Sequence, residues 1–532
     1  MPHPTPMSPT ATFHPTIQSW FDARFGTPTP VQAETWPLIA EGRHVLATAP
    51  TGSGKTFTAF LWALNRFATG EWETGHTRVL YVSPLKALNN DIRENLLTPL
   101  AELAAESDFP QVRVQTRSGD TPAGDRQRML RRPPEILITT PESLTLLLTT
   151  RAGMNALTRV STVIVDEVHA VADNRRGVLL MTSLERLVEL SGEFQRIALS
   201  ATVEPLDAVA AYVGGFTPDG APRPVTTVRA RGDKPLAFRV RFPEAVRQAL
   251  EDGKKVWDPL SDAFRDLIQH NDATLFFTNL PGPLAYAHHG SLAREIRTTV
   301  EQRLKAGELR AIVATSSLEM GIDIGHLDEV VLIQSPPSVA ATLQRIGRAG
   351  HRVGETTVGT LFPTHARDFL EAAVLASALE RKDIEPLTPM TGALDVLAQI
   401  IVSMTAQTEW PVDALFDLLR RATPYRQLSR EHFELVIEML AGRYAGSRVR
   451  ELKPRISYDR IRQTLRAQKG AVLAYYAGGG TIPDRGYYKL RHQDSGAAIG
   501  ELDEEFVWVP KVNRSPSFAS QTNSSSSSPI AA

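Results

Sequence analysis

The sequence contains no cysteine in 532 residues, which excludes a disulfide scaffold, a thiolate zinc site and an iron–sulfur cluster. Neither sign of charge is in excess, because 58 Lys+Arg face 59 Asp+Glu. Any basic surface for a nucleic acid must therefore be local. No apolar run approaches the ~18 residues of a membrane-spanning helix. The proline-rich start, residues 1–13, lacks the apolar core of a secretory signal, and a cytoplasmic location is predicted.

The length and composition are typical of a multidomain globular protein. At roughly 150 residues per domain, the chain has room for three or four domains. A hydrophobic content of 42% and a charged content of 22% exclude wholesale disorder. The segment 511–532 is the exception, since its eight serines cannot build a core, and it is predicted to be a disordered tail.

Short apolar and β-branched runs alternate with helical patterns in the first half of the chain. The runs lie at residues 44–49, 78–83, 135–139, 160–165 and 195–200, and helical patterns cover 57–67 and 88–106. This alternation predicts an α/β domain with a parallel sheet that is buried on both faces. The Gly-, Pro- and Thr-rich stretch 214–235 interrupts the pattern and is predicted to be a linker.

A second series of the same kind follows the predicted linker. Its runs lie at 273–278, 311–314, 329–333 and 357–362, which predicts a second parallel-sheet domain. From about residue 391 the strands give way to a helical module, in which Leu394, Leu397, Ile401 and Met404 recur at helical spacing. These apolar stripes are interpreted as core. Residues 447–508 combine one helix with glycine-rich turns.

The strongest local motif lies between the first strand and the first helical pattern. Residues 49–56 read Ala-Pro-Thr-Gly-Ser-Gly-Lys-Thr. In such a loop, backbone N–H groups and a helix N-terminus attract phosphate oxygens. Lys55 is predicted to contact the β- and γ-phosphates, and the Thr56 hydroxyl to bind Mg²⁺. The loop itself is formed by Thr51, Gly52, Ser53 and Gly54.

Two further constellations fit phosphoryl transfer. Asp166 and Glu167 end a buried strand, where carboxylates face the ligand crevice of an open α/β sheet. Asp166 is predicted to hold Mg²⁺ and Glu167 to activate water. In the second domain Arg345 and Arg348 are three residues apart, and one helix face is expected to carry both as arginine fingers. A solvated arginine pair is the alternative for that motif taken alone.

The order of these segments resembles superfamily 2 helicases, and the large helicase-related subfamily most closely. Matching motifs run from about Phe13 to Val509, and two subfamily signatures resemble segments at 288–291 and 479–484. The nucleotide motifs include Gln32, His169, Gly321, Asp323 and Gln344. The motifs that contact nucleic acid include Ser83, Pro84, Lys86, Thr140, Pro141, Glu142, Ser143, Thr278, Asn279 and Thr315. The coupling motif is Ser200, Ala201 and Thr202.

The resemblance implies two tandem RecA-like domains that clamp ATP with Mg²⁺ and bind one nucleic-acid strand. It places a disordered tail at 1–13, the ATP-binding domain at 14–225 and the helicase C-terminal domain at 226–385. A winged-helix module then covers 386–450, and an incomplete fourth domain covers 451–510. The implied activity is an ATP-dependent 3′-to-5′ translocase on single-stranded DNA that unwinds DNA or RNA:DNA duplexes in DNA repair.

Two alternatives remain open from the motifs. An RNA helicase or ribonucleoprotein remodeller shares every motif, because preference for RNA depends on 2′-hydroxyl contacts. A degenerate protein that binds ATP and a strand without unwinding is the other alternative. No membrane partner is expected, and the motifs identify no protein partner.

Two departures from the family are expected to matter. Only eight residues separate Asn279 from His288, whereas a crossover between parallel neighbours needs about a dozen or more. Strands at 273–278 and 284–287 are predicted to be such neighbours, so the chain is interpreted as internally deleted at this connection. The resemblance also stops near Val509, and the chain is interpreted as truncated within its fourth domain.

Overall fold

The computed structural model divides the chain into two compact units. The first contains residues 1–234, 338–340 and 382–482, and the second contains 235–337, 341–381 and 483–532. The described residues are 9–50, 52–84, 86–105, 109–230, 235–277, 286–288, 299–300, 302–304, 306–315, 318, 325–350, 355–443, 453–477, 487–491 and 498–503. Within these ranges, no helix is long and apolar enough to cross a membrane.

The first unit is built on a parallel sheet in the order β3-β4-β2-β5-β6-β1-β7. Its strands are β1 (His44–Thr48), β2 (Val79–Val82), β3 (Val114–Arg117), β4 (Ile136–Thr139), β5 (Thr162–Val165), β6 (Gln195–Ser200) and β7 (Val225–Arg229). All adjacent pairs are parallel, so the carboxyl ends of the strands meet at one edge. Four of these strands, β2, β4, β5 and β6, are wholly buried.

Helices supply the cover on both faces of this sheet. They are α1 (Pro15–Phe25), α2 (Pro30–Ala40), α3 (Lys55–Ala68), α4 (Lys86–Ala105), α5 (Ala123–Arg131), α6 (Pro141–Leu147), α7 (Arg151–Leu157), α8 (Arg175–Ser191) and α9 (Leu206–Gly214). Successive side chains of a strand point to opposite faces. Accordingly, Val79 and Tyr81 of β2 join one core, whereas Leu80 joins the other. The continuous apolar runs in the sequence are explained by this two-sided burial.

The second unit contains another parallel sheet, in the order β10-β11-β9-β12-β13-β8. Its strands are β8 (Leu236–Val240), β9 (Thr274–Phe277), β10 (Tyr286–His288), β11 (Ala311–Ala314), β12 (Glu329–Ile333) and β13 (Thr357–Phe362). Its helices are α10 (Glu244–Glu251), α11 (Trp257–His270), α12 (Val339–Ile346, of which 341–346 fall in this unit) and α13 (Ala366–Arg381). The prediction of two parallel-sheet domains is confirmed.

Two expectations about the sheets are corrected. Residues 225–229 of the predicted linker form β7, which pairs with β1 at the edge of the first sheet. A domain limit at residue 225 therefore divides a strand. In the second sheet, β9 and β10 are not neighbours, because β11 lies between them and pairs with both. Both strands pair parallel with β11, so the connection after Asn279 still joins parallel strands, for which a crossover of about a dozen or more residues is expected.

The helical module folds within the first unit. It comprises α14 (Leu394–Met404), β14 (Trp410–Pro411), α15 (Val412–Leu419), α16 (Arg430–Leu440), β15 (Ile456–Asp459), β16 (Thr464–Ala467) and α17 (Ala471–Ala477). Its strands pair antiparallel in the order β14-β16-β15. A limit at residue 450 therefore divides one small sheet. Val178 and Leu179 of α8 share a buried cluster with Leu397 of α14, so this module packs on the first parallel-sheet domain.

A last antiparallel pair follows the module in the chain. It consists of β17 (Tyr487–Arg491) and β18 (Ala498–Asp503), with an irregular register at Leu490 and Arg491. The glycine-rich signature at 479–484 and the serine-rich tail lie outside the described residues. The signature at 288–291 is described only at the backbone of residue 288.

Candidate nucleotide and nucleic-acid site

The predicted phosphate loop connects β1 to α3 at the carboxyl edge of the first sheet. Gly52 and Gly54 have φ angles of +79° and +80°, a region that favours glycine because it has no Cβ. The Lys55 ammonium donates to the carbonyl oxygens of Ala49 and, at 3.1 Å, Pro50. Lys55 and Thr56 are both half-buried on the first turn of α3. The loop thus places a cation and a hydroxyl at the N-terminus of a helix.

Gln32 lies directly beside this loop. Its Oε1 accepts the Thr29 N–H at 2.9 Å, and the Thr29 hydroxyl donates to the Ser53 carbonyl at 2.9 Å. A Cβ on Gly54 would lie 2.9 Å from Gln32 Nε2, so only glycine leaves room for this buried amide. The start of α2 is therefore fixed against the phosphate loop, and Gln32 stays a predicted nucleotide-binding residue.

The two carboxylates after β5 differ in their surroundings. Asp166 is buried and accepts hydrogen bonds from the Tyr81 hydroxyl and, at 2.8 Å, from the Glu167 N–H. Burial and, second to it, the neighbouring Glu167 carboxylate raise the pKa of Asp166 to about 7. Burial and Asp166 likewise raise the pKa of Tyr81. Glu167 takes a left-handed backbone with φ +48°, which turns the chain sharply after the strand.

A cluster of three or more ligands for a metal ion is absent from the described residues. This donor set still fits Mg²⁺, because Mg²⁺ in nucleotide sites is held by one or two carboxylates, substrate phosphates and water. Asp166 supplies a carboxylate and Thr56 a hydroxyl at the same sheet edge.

Ser200 connects the phosphate loop with the strand end that carries Asp166. Its carbonyl accepts the Ala49 N–H at 3.3 Å, and its hydroxyl lies 3.1 Å from His169 Nδ1. The same Nδ1 accepts the Ala201 N–H at 3.3 Å, so the ring proton of a neutral His169 belongs on Nε2. Burial lowers the pKa of His169 and favours this neutral form. Thr202 is half-buried two residues further on.

The predicted nucleic-acid residues of the first unit follow β2 and β4, which are neighbours in the sheet. Ser83 is buried, and its N–H donates to the Thr139 carbonyl at 3.0 Å. The Thr140 hydroxyl caps α6 by accepting the Ser143 N–H at 3.3 Å, and Pro141 begins that helix. Lys86 is the first residue of α4, and its side chain lies outside the described set. The structure thus brings both segments to one edge.

Two features of this edge were not predicted from the sequence. The turn 118–121 follows β3, beside β4, and Arg126 donates to its Thr121 and Gly119 carbonyls at 2.6 and 2.9 Å. A polar Gly-Asp turn directly after a β-branched strand was the signal available for it. Arg176 of α8 was missed because no local pattern relates it to Glu142, with which it forms an ion pair at 2.6 Å.

In the second unit, the two predicted arginine fingers do not share a helix face. Helix α12 ends at Ile346, so Arg345 lies in its last turn while Arg348 lies in the following turn, where its N–H donates to the Arg345 carbonyl at 3.1 Å. Both arginines are buried, and the Arg345 guanidinium lies 5.3 Å from the centre of the Phe277 ring. Gln344 is half-buried.

The remaining predicted positions are described in part. Thr315 is half-buried directly after β11. The other calls lie outside the described residues: Thr51, Thr278, Asn279, Gly321 and Asp323.

Comparison with known families accounts for this arrangement of parts. The DEAD/DEAH box helicase family matches residues 29–209, and the helicase conserved C-terminal domain matches 263–353. The winged helix domain of large helicase-related proteins matches 377–525. This chain belongs to the large helicase-related (Lhr) family of DEAD/DEAH box helicases. The Lhr winged-helix match extends past residue 450, in agreement with the small sheet in which β16 pairs with both β14 and β15.

Named relatives of this Lhr-family chain come from bacteria and archaea. It is 41% identical to an Lhr helicase/probable uracil glycosylase of Mycolicibacterium smegmatis, with 94% of this chain and 36% of the relative covered. It is also 41% identical to the ATP-dependent helicase Lhr-Core protein 2 of Thermococcus barophilus, with 92% and 60% covered. The chain thus spans less than two thirds of the length of these relatives.

A solved structure extends the similarity to three dimensions. The helicase Lhr of Mycobacterium smegmatis, bound to ssDNA and AMP-PNP, superposes with a TM-score of 0.82 and 43% identity. The match covers 90% of this chain and 63% of that one. The Lhr-family fold, with its two RecA-like domains and winged helix, is therefore shared by this chain.

Proposed function

We propose that this chain is an ATP-dependent nucleic-acid helicase that translocates 3′ to 5′ on single-stranded DNA and unwinds DNA or RNA:DNA duplexes. The observation that carries the proposal is the edge of the first sheet. There Lys55, Asp166 and Glu167 lie at the ends of β1 and β5, and the segments after β2 and β4 lie at the same edge. The solved Lhr relative bound to ssDNA and AMP-PNP supports DNA and a nucleoside triphosphate as ligands.

For hydrolysis, the proposal assigns separate roles to the residues of this edge. Lys55 neutralises phosphate charge, and the loop N–H groups bind phosphate oxygens. Thr56 and Asp166 are the residues that hold Mg²⁺, which stabilises the charge that develops on the phosphates when it is bound. Glu167 orients and deprotonates the attacking water. Arg348 stabilises the transition state, and Arg345 assists.

Strand binding is assigned to the segments after β2, β4 and β11. Ser83, Thr140 and Thr315 are polar residues that suit contacts with the sugar-phosphate backbone, which carry no sequence information. Affinity should therefore depend strongly on salt. Alternating grip by the two RecA-like domains during the ATP cycle would move the protein along the strand. The helicase/probable uracil glycosylase name of one relative supports a place in DNA repair.

A second candidate is an ATPase that binds strands but unwinds poorly. The match to the Mycolicibacterium smegmatis relative extends over 558 positions, whereas 94% of 532 residues is about 500. Segments present in the relative are thus absent inside the matched region of this chain. In the second sheet, Ala311 and Val313 of β11 are only half-buried, and the connection after Asn279 has only eight residues before His288.

One experiment separates these candidates. ATP hydrolysis is measured without nucleic acid and with single-stranded DNA, RNA and a 3′-tailed hybrid, and unwinding of the hybrid is followed in parallel. The proposed helicase is stimulated most by DNA and separates the hybrid. Stimulation without strand separation favours the second candidate, and stimulation by RNA alone favours an RNA helicase. Hydrolysis that responds to no strand contradicts all three.

A further inference from the structure

We infer that Arg176 is a positioning residue that holds the strand-binding segments in place relative to the loop carrying Asp166 and Glu167. The inference rests on the proposed function, in which a bound strand stimulates ATP hydrolysis. Arg176 touches neither the nucleotide loop nor any of the residues assigned to catalysis. It acts through the three chain segments that meet at the start of α8.

The guanidinium of Arg176 joins the segments after β2 and β4. Its Nε donates to Glu142 Oε1 at 2.6 Å and its Nη2 to Glu142 Oε2 at 3.2 Å. The same Nη2 donates to the Pro84 carbonyl at 2.6 Å. A planar fork that engages two carboxylate oxygens and a carbonyl fixes distances and angles, which the single ammonium of lysine cannot do.

This ion pair is more than a surface contact. The side chains of Arg176 and Glu142 are 32% and 21% exposed, and the carbonyl partner belongs to a buried proline. Burial is the strongest single influence on Glu142 and opposes its ionisation. The hydrogen bonds and positive charge of Arg176, together with hydrogen bonds from the Glu142 backbone and Thr140, nevertheless lower the pKa of Glu142 overall. The pair is therefore charged at neutral pH. Glu142 lies in the first turn of α6 and its carboxylate binds Arg176, so it shapes the strand-binding edge through this contact.

The other side of Arg176 connects to the loop after β5. Asn174 caps α8 by accepting the Arg176 N–H at 3.1 Å, and its amide donates to the Ala170 carbonyl at 2.9 Å. Ala170 directly follows His169. At Gly177 an added Cβ would lie 2.1 Å from the Val171 carbonyl oxygen, so the first turn of α8 packs against the backbone that follows the catalytic carboxylates.

These contacts form a continuous mechanical connection. A shift of the segments after β2 and β4 on strand binding is passed through Arg176 to the first turn of α8, and from there to residues 166–171. Packed interiors transmit such displacements because they deform little. Loss of the fork should therefore weaken the response of hydrolysis to the strand, while leaving the catalytic groups themselves in place.

The test is the dependence of ATP hydrolysis on the concentration of single-stranded DNA in the full chain. Strand affinity is measured in parallel by fluorescence anisotropy of a labelled oligonucleotide. Arg176→Lys, Arg176→Ala and Glu142→Gln are compared with wild type. Arg175→Ala is the matched control, because Arg175 lies in the same turn but pairs with Asp395 of the winged-helix module. Each Arg176 variant should raise the half-saturating strand concentration about tenfold, with Arg175→Ala within twofold of wild type.

Partial unfolding gives a different result, because it lowers the active fraction and the maximal rate without moving the half-saturating concentration. The inference is overturned if wild type is stimulated by DNA and Arg176→Lys keeps its half-saturating concentration within twofold. It is also overturned if Arg175→Ala shifts that concentration as much as Arg176→Ala does. Wild-type hydrolysis that ignores every strand refutes the proposed function itself, which separates the two failures.

Discussion

The two parallel sheets of this chain are covered to different degrees. In the first, four strands are wholly buried, and helices lie in the connections between successive strands. In the second, β9 and β12 are wholly buried, but Ala311 and Val313 of the interior strand β11 are half-buried. Leu236 and Val240 of the edge strand β8 are 37% and 43% exposed. The comparison teaches that neighbouring strands of one sheet can be buried unequally, since alternate residues of β11 remain half-buried between two wholly buried strands and the sheet edge.

The sheets also differ in the chemistry that we assign to them. The first carries the phosphate loop and the carboxylates that act on the nucleotide and water. The second carries arginines, which release no proton near neutral pH and which we assign to stabilising charge. If this division is right, removing one group from each sheet should affect different steps of the reaction.

The largest effect on the hydrolysis rate is expected from Arg348 in the second unit. Arg348→Ala should lower the maximal rate of DNA-stimulated ATP hydrolysis by roughly 10³-fold, because a charge-stabilising finger is lost from the transition state. Arg348→Lys should restore little, since a point charge does not replace the planar fork. The matched control is Arg367→Ala, whose side chain is 84% exposed and pairs with Glu371. Turnover of Arg348→Ala near that of wild type would mean that this sheet contributes no finger.

The first sheet should show two separable defects. Glu167→Gln should lower the hydrolysis rate by on the order of 100-fold while ATP binding persists, because water activation is lost. Lys55→Ala should weaken nucleotide binding instead, since a phosphate loses its point charge. Hydrolysis by rapid quench and binding of a fluorescent ATP analogue distinguish the two. Equal turnover in wild type and Glu167→Gln would exclude Glu167 from catalysis.

Because alternate residues of β11 are only half-buried, we predict that additional helical cover raises the stability of the second unit. A helix-containing insert of about a dozen or more residues after Asn279 should stabilise the second unit. Each large apolar side chain that it buries against β11 contributes roughly 1.5–3 kcal/mol to the free energy of unfolding. For a unit of this size, each kcal/mol raises the Tm by about 2–4 °C. Scanning calorimetry measures the change, and DNA-stimulated hydrolysis should rise with it.

The control for this insert is a Gly/Ser-rich segment of equal length, which adds chain but no apolar face. If both inserts change the Tm equally, or neither does, the half-buried face of β11 is a native feature of this chain. The eight-residue connection is then sufficient for two strands separated by β11.

The smallest effect is expected on the unfolding free energy when a buried glutamate is replaced, and each unit contains one such residue. The Glu135 side chain is 1% exposed and accepts from Arg113 and from the Gly75 and Arg113 N–H groups at 2.6–3.1 Å. Burial opposes ionisation, but these hydrogen bonds lower the pKa of Glu135 overall. Its contribution to stability is therefore present above the unfolded pKa of about 4.3 and is lost as pH falls through the lower folded pKa.

Glu135→Gln should accordingly cost about 1–3 kcal/mol of unfolding free energy at pH 7, and less at pH 4 and below. Glu329→Gln in the second unit is the matched variant, because Glu329 is buried but accepts from the neutral donors Thr360 and Asn271. Glu329→Gln should lower the unfolding free energy by less than Glu135→Gln does. Urea unfolding at pH 7 and pH 4 measures both, and a pH-independent cost for Glu135→Gln would show that its charge contributes nothing.

The sequence was sufficient to predict the elements whose structure depends on residues close together in the chain. The strands at 162–165 and 329–333 are runs rich in Val and Ile, and such runs predict burial in a parallel sheet. The phosphate loop is equally local, since its glycines, lysine and threonine act within eight residues. The sequence motifs also sufficed for the helicase family, because many of them occur in order along two domains.

Tertiary structure decided what depends on distant partners. β7 is half-buried and follows a Gly- and Pro-rich stretch, so only its pairing with β1 makes it a strand. The position of β11 between β9 and β10, and the pairing of β14 with β16, depend on the packing of distant segments. Arg348 does not share a helix face with Arg345, because α12 ends at Ile346. The ion pair of Arg176 with Glu142 joins residues 34 positions apart, and no periodicity in a sequence records such a contact.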